Sequence, residues 1–221
     1  MKNQPLLELY QRHESAIYDI TSRCAEEMEG PFLIAPNENY WNSATKVAFV
    51  GQETHGWSSK RDISAQMTEY SSFNLGETYY PSPFWNVIRK LEAALTGTAY
   101  SSAWLNLNRY DEGGLSPSWA NQQILAELDF LLLEELKLIT PDVVIFLTGP
   151  NYDGRLTALL NPTYLPIQSF PERQLCKVQS PLMAGTMLRT YHPNYLRRSG
   201  LEESVIEAIH DTVAGRQQPT A

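Results

Sequence analysis

Four short apolar runs, each halted by a polar or glycine-bearing break, constrain the fold of this 221-residue chain more than any other feature. They cover residues 46–52, with Val47-Ala48-Phe49-Val50 at the centre, 103–107, 142–148 and 182–191, the last weakened by Gly185 and Thr186. A run that is apolar at every position reads as a strand buried on both faces, as in parallel sheets. Helical spacing fills the intervals between them. Parallel neighbours need crossover connections of about this length, so the alternation predicts right-handed βαβ units and a doubly wound α/β sheet.

Leu6, Leu9, Tyr10, His13, Ile17 and Ile20 recur near the helical period and predict an opening helix over 6–23. Residues 30–45, with Pro31, Pro36, three asparagines, Tyr40 and Trp41, read as a structured loop, and 54–83 as a long irregular one rich in aromatics and serines. Ser82 suits an N-cap and Pro83 a first helical position. Phe84, Val87, Ile88, Leu91 and Leu95 supply the stripe of that helix, and Gly97 stops it. A turn at 111–114 precedes a long helix from about 118 to 139, ended by Thr140-Pro141. A short helix around 155–160, a proline-broken segment and a closing helix over 201–213 complete the chain.

With 43% hydrophobic residues and no linker-like tract, residues 1–221 read as a single domain. No apolar run reaches membrane-spanning length, so a soluble, cytoplasmic protein without a membrane partner is expected. Two cysteines, Cys24 and Cys176, supply neither a disulfide framework nor the four thiolates of an iron–sulfur cluster; no cofactor is expected. A net charge of −8 disfavours non-specific nucleic-acid binding. Between Glu172 and Glu202, however, five cations occur with no acid: Arg173, Lys177, Arg189, Arg197 and Arg198.

The strand breaks carry the chemistry: Gly51-Gln52-Glu53-Thr54-His55 after the first, Asn106 at the end of the second, and His192-Pro193-Asn194-Tyr195-Leu196 after the last. Open α/β sheets bind ligands at the carboxyl ends of their strands, so a carboxylate, an amide and an imidazole are expected on one edge. The first of these segments resembles the Gly-Gln-Asp-Pro-Tyr motif of the uracil-DNA glycosylase superfamily, and the last resembles its His-Pro-Ser-Pro-Leu motif. Phe73, the helix start at Pro83 and the Leu105-Asn106 strand end fall in the family's order between them.

The resemblance implies a three-layer αβα sandwich around a central, mostly parallel four-stranded sheet, and a metal-free enzyme that flips a pyrimidine out of DNA and hydrolyses its N-glycosidic bond. Such a site needs an anion near the sugar and a donor near the departing base. By resemblance Glu53 supplies the first and His192 the second. Gln52 contributes to the pocket floor, Asn106 reads the base edge, and Phe73 stacks on the base. Leu196 is the expected wedge, and Arg197 and Arg198 hold flanking phosphates. Asn108 competes with Asn106 and Phe84 with Phe73. The chain departs from the family where His55 stands in place of a tyrosine that excludes a 5-methyl group, and where Glu53 replaces an aspartate. A smaller wall implies a pyrimidine bulkier than uracil, such as the substituted cytosines of phage genomes, with host defence as the corresponding role. The alternatives are a metal-assisted hydrolase using Glu53, His55 and His192, and a catalytically silent nucleic-acid-binding module. No particular oligomeric state is implied.

Overall fold

A computed structural model describes residues 2–167 and 169–215. Its centre is a six-stranded mixed sheet in the order β2-β1-β3-β6-β5-β4, formed by β1 (Val47–Gly51), β2 (Ala103–Asn106), β3 (Val143–Phe146), β4 (Thr163–Pro166), β5 (Leu175–Gln179) and β6 (Thr186–Thr190). β2, β1, β3 and β6 pair in parallel, as the apolar runs predict. β1, β2 and β3 are buried at every residue, which is why their sequences show no alternation.

The expected four strands are therefore incomplete. β5 and β4 add an antiparallel extension beyond β6, inside the segment that reads as proline-broken. β5 alternates partly, with Leu175, Cys176 and Val178 inward and Lys177 and Gln179 outward; β4 is an edge strand that ends at Pro166, which has no amide hydrogen to donate. The last parallel strand is shorter than 182–191 because Gly185 adopts φ +92°. A Cβ there would lie 2.7 Å from the Asp142 carbonyl.

The opening helix breaks at His13 into α1 (Gln4–Arg12) and α2 (Glu14–Asp19), followed by a 3-10 turn at Ile20–Arg23. α3 (Glu38–Asn42) interrupts the expected loop, capped by Asn37, whose side chain accepts from the Tyr40 amide at 3.2 Å. The segment 54–83 is not irregular throughout. It contains α4 (Ile63–Phe73), started by Asp62, whose carboxylate accepts from the Ala65 amide at 2.6 Å. Gln66 fastens this helix inward, accepting from the Trp57 indole at 2.8 Å and donating to the Ser58 and Lys60 carbonyls.

α5 (Pro83–Thr96) follows its sequence signals, with Ser82 accepting from the Trp85 amide at 3.3 Å and Gly97 in the left-handed region. The long helix divides into α6 (Trp119–Leu125) and α7 (Asp129–Ile139), joined by a 3-10 turn at Ala126–Leu128. α8 (Asp153–Leu160), α9 (Pro193–Arg198) and α10 (Glu202–Val213) complete the set. α5 packs against β1, α9 and α10, while α1 packs against α4 and α7, and α7 against α8. No helix of the described residues is long and apolar enough to cross a membrane.

One buried ion pair ties the second group of helices to the end of β2. Arg109 meets Glu135 of α7 through two hydrogen bonds of 2.7 and 2.6 Å, and the Tyr10 hydroxyl of α1 donates to the same carboxylate at 2.6 Å. Arg109 and Glu135 are 1% and 0% exposed. Burial pushes the Glu135 carboxyl up, and the Arg109 guanidinium opposes that shift. Removing one member leaves an uncompensated charge in the core. Arg109→Met should therefore cost about 3–5 kcal/mol in urea unfolding, and adding Glu135→Met should recover most of that loss.

Candidate active site

Parallel pairing brings the carboxyl ends of β1, β2, β3 and β6 to one edge of the sheet. Gly51, the last residue of β1, pairs with Asn106, the last of β2. A Cβ at Gly51 would collide with Asn106 Oδ1 and touch the Phe84 ring at 3.5 Å, so the glycine makes room for both. Asn106 is fully buried. Its Oδ1 accepts from the Trp104 indole at 3.1 Å; because the indole nitrogen only donates, the amide orientation is fixed. Its Nδ2 is buried with no hydrogen-bond partner among the described residues. An unmet buried donor costs about 1–3 kcal/mol, which a bound acceptor would return.

His192, the N-cap of α9, reaches the same place. Its ring stacks on Phe84 with centroids 5.7 Å apart and planes at 29°. Its Nδ1 accepts from the Asn194 amide at 3.3 Å, which leaves the proton on Nε2 as a free donor. Burial lowers its pKa to about 4. Asn106 and Phe84 thus meet over Gly51, and His192 joins them through the Phe84 ring, with two donors whose acceptor is not supplied by the described residues.

Glu53 belongs to an adjoining network. One carboxylate oxygen accepts from Ser116 Oγ at 2.5 Å and the other from Asn108 Nδ2 at 3.1 Å. Asn108 Oδ1 in turn accepts from Arg155 of α8 at 2.5 Å, and Arg155 Nε donates to Asp129 at 2.9 Å. Burial raises the Glu53 pKa above the ordinary carboxylate range, opposed by Ser116 and Asn108, while Asp111 adds to the rise and Arg155 opposes it. Tyr152 adjoins this acid; burial, then the Glu53 charge, push its hydroxyl up to about 12. Asn106 and Asn108, equivalent by strand alternation, therefore enter different networks: the first faces Phe84, the second holds Glu53. Ser116, Tyr152, Arg155 and Asp129 carry no sequence signal that places them here.

The remaining expected residues fall as follows. Gln52 Nε2 donates to the Thr148 carbonyl at 2.7 Å, so its amide fastens the end of β1 to the end of β3. His55 is exposed, with Nδ1 held against the Gly114 carbonyl. Neighbouring Thr54 bonds Asp111, which also accepts from the amides of Gly56 and Trp57 at 3.2 Å each. Phe73 is half-buried among Trp57, Tyr79, Trp85 and Trp104 at centroid distances of 5.4–5.7 Å. The ring against His192 is Phe84.

Leu196 does not serve as a wedge here. It is fully buried, because Pro193 and Leu196 form the inward face of α9; the exposed aromatic beside it is Tyr195. Arg197 and Arg198 are exposed, and Arg197 approaches Glu202 at 3.5 Å. Arg189 leaves the basic set: it is 1% exposed and bonded to Asp153 at 2.9 Å. Glu53, His55 and His192 form no metal-ligand cluster, and no group of three or more such ligands occurs among the described residues.

Two measurements test this geometry. Leu196→Ala should lose about 2–5 kcal/mol of stability, the signature of a core position. By NMR, His192 should titrate near pH 4, not near 6.5. Since the unfolded chain accepts that proton earlier, its contribution to stability is complete above pH 6.5 and declines as pH falls from there towards about 4. Compared with known proteins, the sequence matches no family model and no curated relative.

Proposed function

We propose that this chain is a monofunctional DNA glycosylase that hydrolyses the N-glycosidic bond of a flipped-out pyrimidine, on a three-layer αβα frame of the uracil-DNA glycosylase kind. The observation that carries the reading is the unpartnered Asn106 amide beside Phe84 and His192, at the carboxyl edge of the parallel strands. A planar ring with acceptors on its edge meets what that site lacks. Phe84 offers an aromatic face, Asn106 Nδ2 a donor, and His192 Nε2 a second donor towards an oxygen on which negative charge develops as the bond breaks.

Glu53 takes the sugar side. Each of its oxygens accepts one hydrogen bond and keeps a lone pair, so the carboxylate has capacity to orient a water or to stabilise an oxocarbenium-like sugar. The extra methylene relative to an aspartate is accommodated by Ser116 and Asn108, which hold the carboxylate in one position. With both free groups donors, cytosine is a fitting base, because its O2 and N3 both accept. His55 turns to Gly114, which supports the reading that a 5-substituent is tolerated and that the substrate is a modified cytosine of the phage type.

Oligonucleotides bearing uracil or 5-substituted cytosines, treated with alkali after incubation, should be cut at the substituted cytosine; release of uracil alone would reject the widened pocket. Glu53→Gln and His192→Ala should each lower base release by about 100-fold or more while the protein stays folded. A silent binding module would be indifferent to both. The rate should hold steady from pH 8 downward and fall as Glu53 takes up its proton, above the usual glutamate range.

A further inference from the structure

We infer that Asn108 and Arg155 are positioning residues for Glu53, forming with Asp129 a relay that brings a guanidinium's charge to the carboxylate through one amide and leaves lone pairs on both carboxylate oxygens. The inference rests on the glycosylase reading and deepens it by naming what aims its acid. The contacts are continuous. Arg155 of α8 donates from Nε and one terminal nitrogen to the two oxygens of Asp129, at the start of α7, at 2.9 and 2.5 Å. Its other terminal nitrogen donates to Asn108 Oδ1 at 2.5 Å, and Asn108 Nδ2 donates to Glu53 Oε2 at 3.1 Å. Asn108 is fully buried, and the Arg155 and Asp129 side chains are 13% and 12% exposed.

These contacts admit one orientation of the amide. A guanidinium only donates and an ionised carboxylate only accepts, so a flipped Asn108 would set Nδ2 against Arg155 and Oδ1 against Glu53, two repulsive contacts in place of two bonds. The two-pronged grip of Asp129 fixes the fork that enforces this choice. Asn106, two residues earlier, is held through Oδ1 and keeps its Nδ2 free, whereas both ends of Asn108 are bonded within the protein. Asn106 is thus equipped to meet a ligand and Asn108 to hold the acid.

The same fold contains the alternative arrangement. Glu135 meets Arg109 directly through both oxygens, takes a third bond from Tyr10 and is 0% exposed, an acid fully committed to the core. At Glu53 an amide stands between acid and cation. Arg155 still favours the ionised carboxylate, against burial and the nearby Asp111, while Ser116 and Asn108 each occupy one lone pair on a separate oxygen. Tyr152 also faces this acid, its hydroxyl kept protonated by burial and by the Glu53 charge.

The test uses the full chain and reads Glu53 twice: by titration of its side-chain carboxyl in carbon-13 NMR, and by kcat and KM for base release from an oligonucleotide bearing a 5-substituted cytosine. Asn108→Asp is nearly isosteric and keeps a partner for Arg155, but it sets a carboxylate where Glu53 had a donor. kcat should fall about 100-fold with KM unchanged, the loss expected when a reacting group is misplaced. Were Asn108 only an anchor for Arg155, kcat would survive this variant. Arg155→Met combined with Asp129→Leu removes both charges together, so no buried ion is left unpaired. The Glu53 titration should then move to higher pH and kcat should fall about 10-fold, the effect of one weakened hydrogen bond. A Glu53 titration unmoved by the double substitution, or an Asn108→Asp protein that releases base like the parent or loses rate through KM alone, would overturn the relay and leave the glycosylase intact. A titration that moves as expected, with no base release by the parent on any substrate, would sink the glycosylase reading and leave the relay standing.

Discussion

Parallel pairing of β2, β1, β3 and β6 is the constraint from which the rest follows. Parallel strands cannot be joined by a hairpin, so each connection must cross the sheet and return, and every strand ends on the same side. That is how Gly51, Asn106, Thr148 and Tyr191, spread over 140 residues of sequence, come to share one edge. Among the described residues the sheet turns antiparallel beyond β6, in β5 and β4, where no candidate residue lies.

The edge so formed holds two electrostatic settings side by side. Around Asn106 and His192 the surroundings are aromatic and poor in charge, which keeps the imidazole neutral and leaves donors without acceptors. Around Glu53 they are polar, with a hydroxyl and an amide fixing the acid and a guanidinium behind the amide. The three residues Gly51-Gln52-Glu53 join the two, and the Gln52 bond to Thr148 holds that junction to β3. The Glu53 setting depends on the loop after β2, which supplies Asn108 and Ser116 and which the Arg109–Glu135 pair anchors to α7.

What was legible in the sequence is what local physics decides. β1 and β3 announce themselves because burial on two faces leaves no polar position, and α5 because its cap and first proline are adjacent in sequence and a glycine marks its end. β4 and β5 do not, since they are short, are interrupted by Pro166 and Pro171, and owe their conformation to pairing, β5 with β6 and β4 with β5. α4 is hidden by its polar composition; Gln66 is buried there only because Trp57, Ser58 and Lys60 satisfy it. At the site, the residues at strand ends could be named in advance, whereas Ser116, Arg155 and Tyr152 arrive from distant elements. The wedge expected at Leu196 fails because a motif position says nothing of the phase of α9, which turns that side chain into the core.

β4 has a consequence for behaviour in concentrated solution. The outer side of a terminal strand presents unsatisfied amides and carbonyls that a neighbouring molecule can pair with, and such pairing is a route to fibres. Here that strand is four residues long and finishes on a proline, beside a strand that projects Lys177 into solvent. The ladder offers too few consecutive donors for a second molecule to extend it, so the sheet stays closed to growth on that flank.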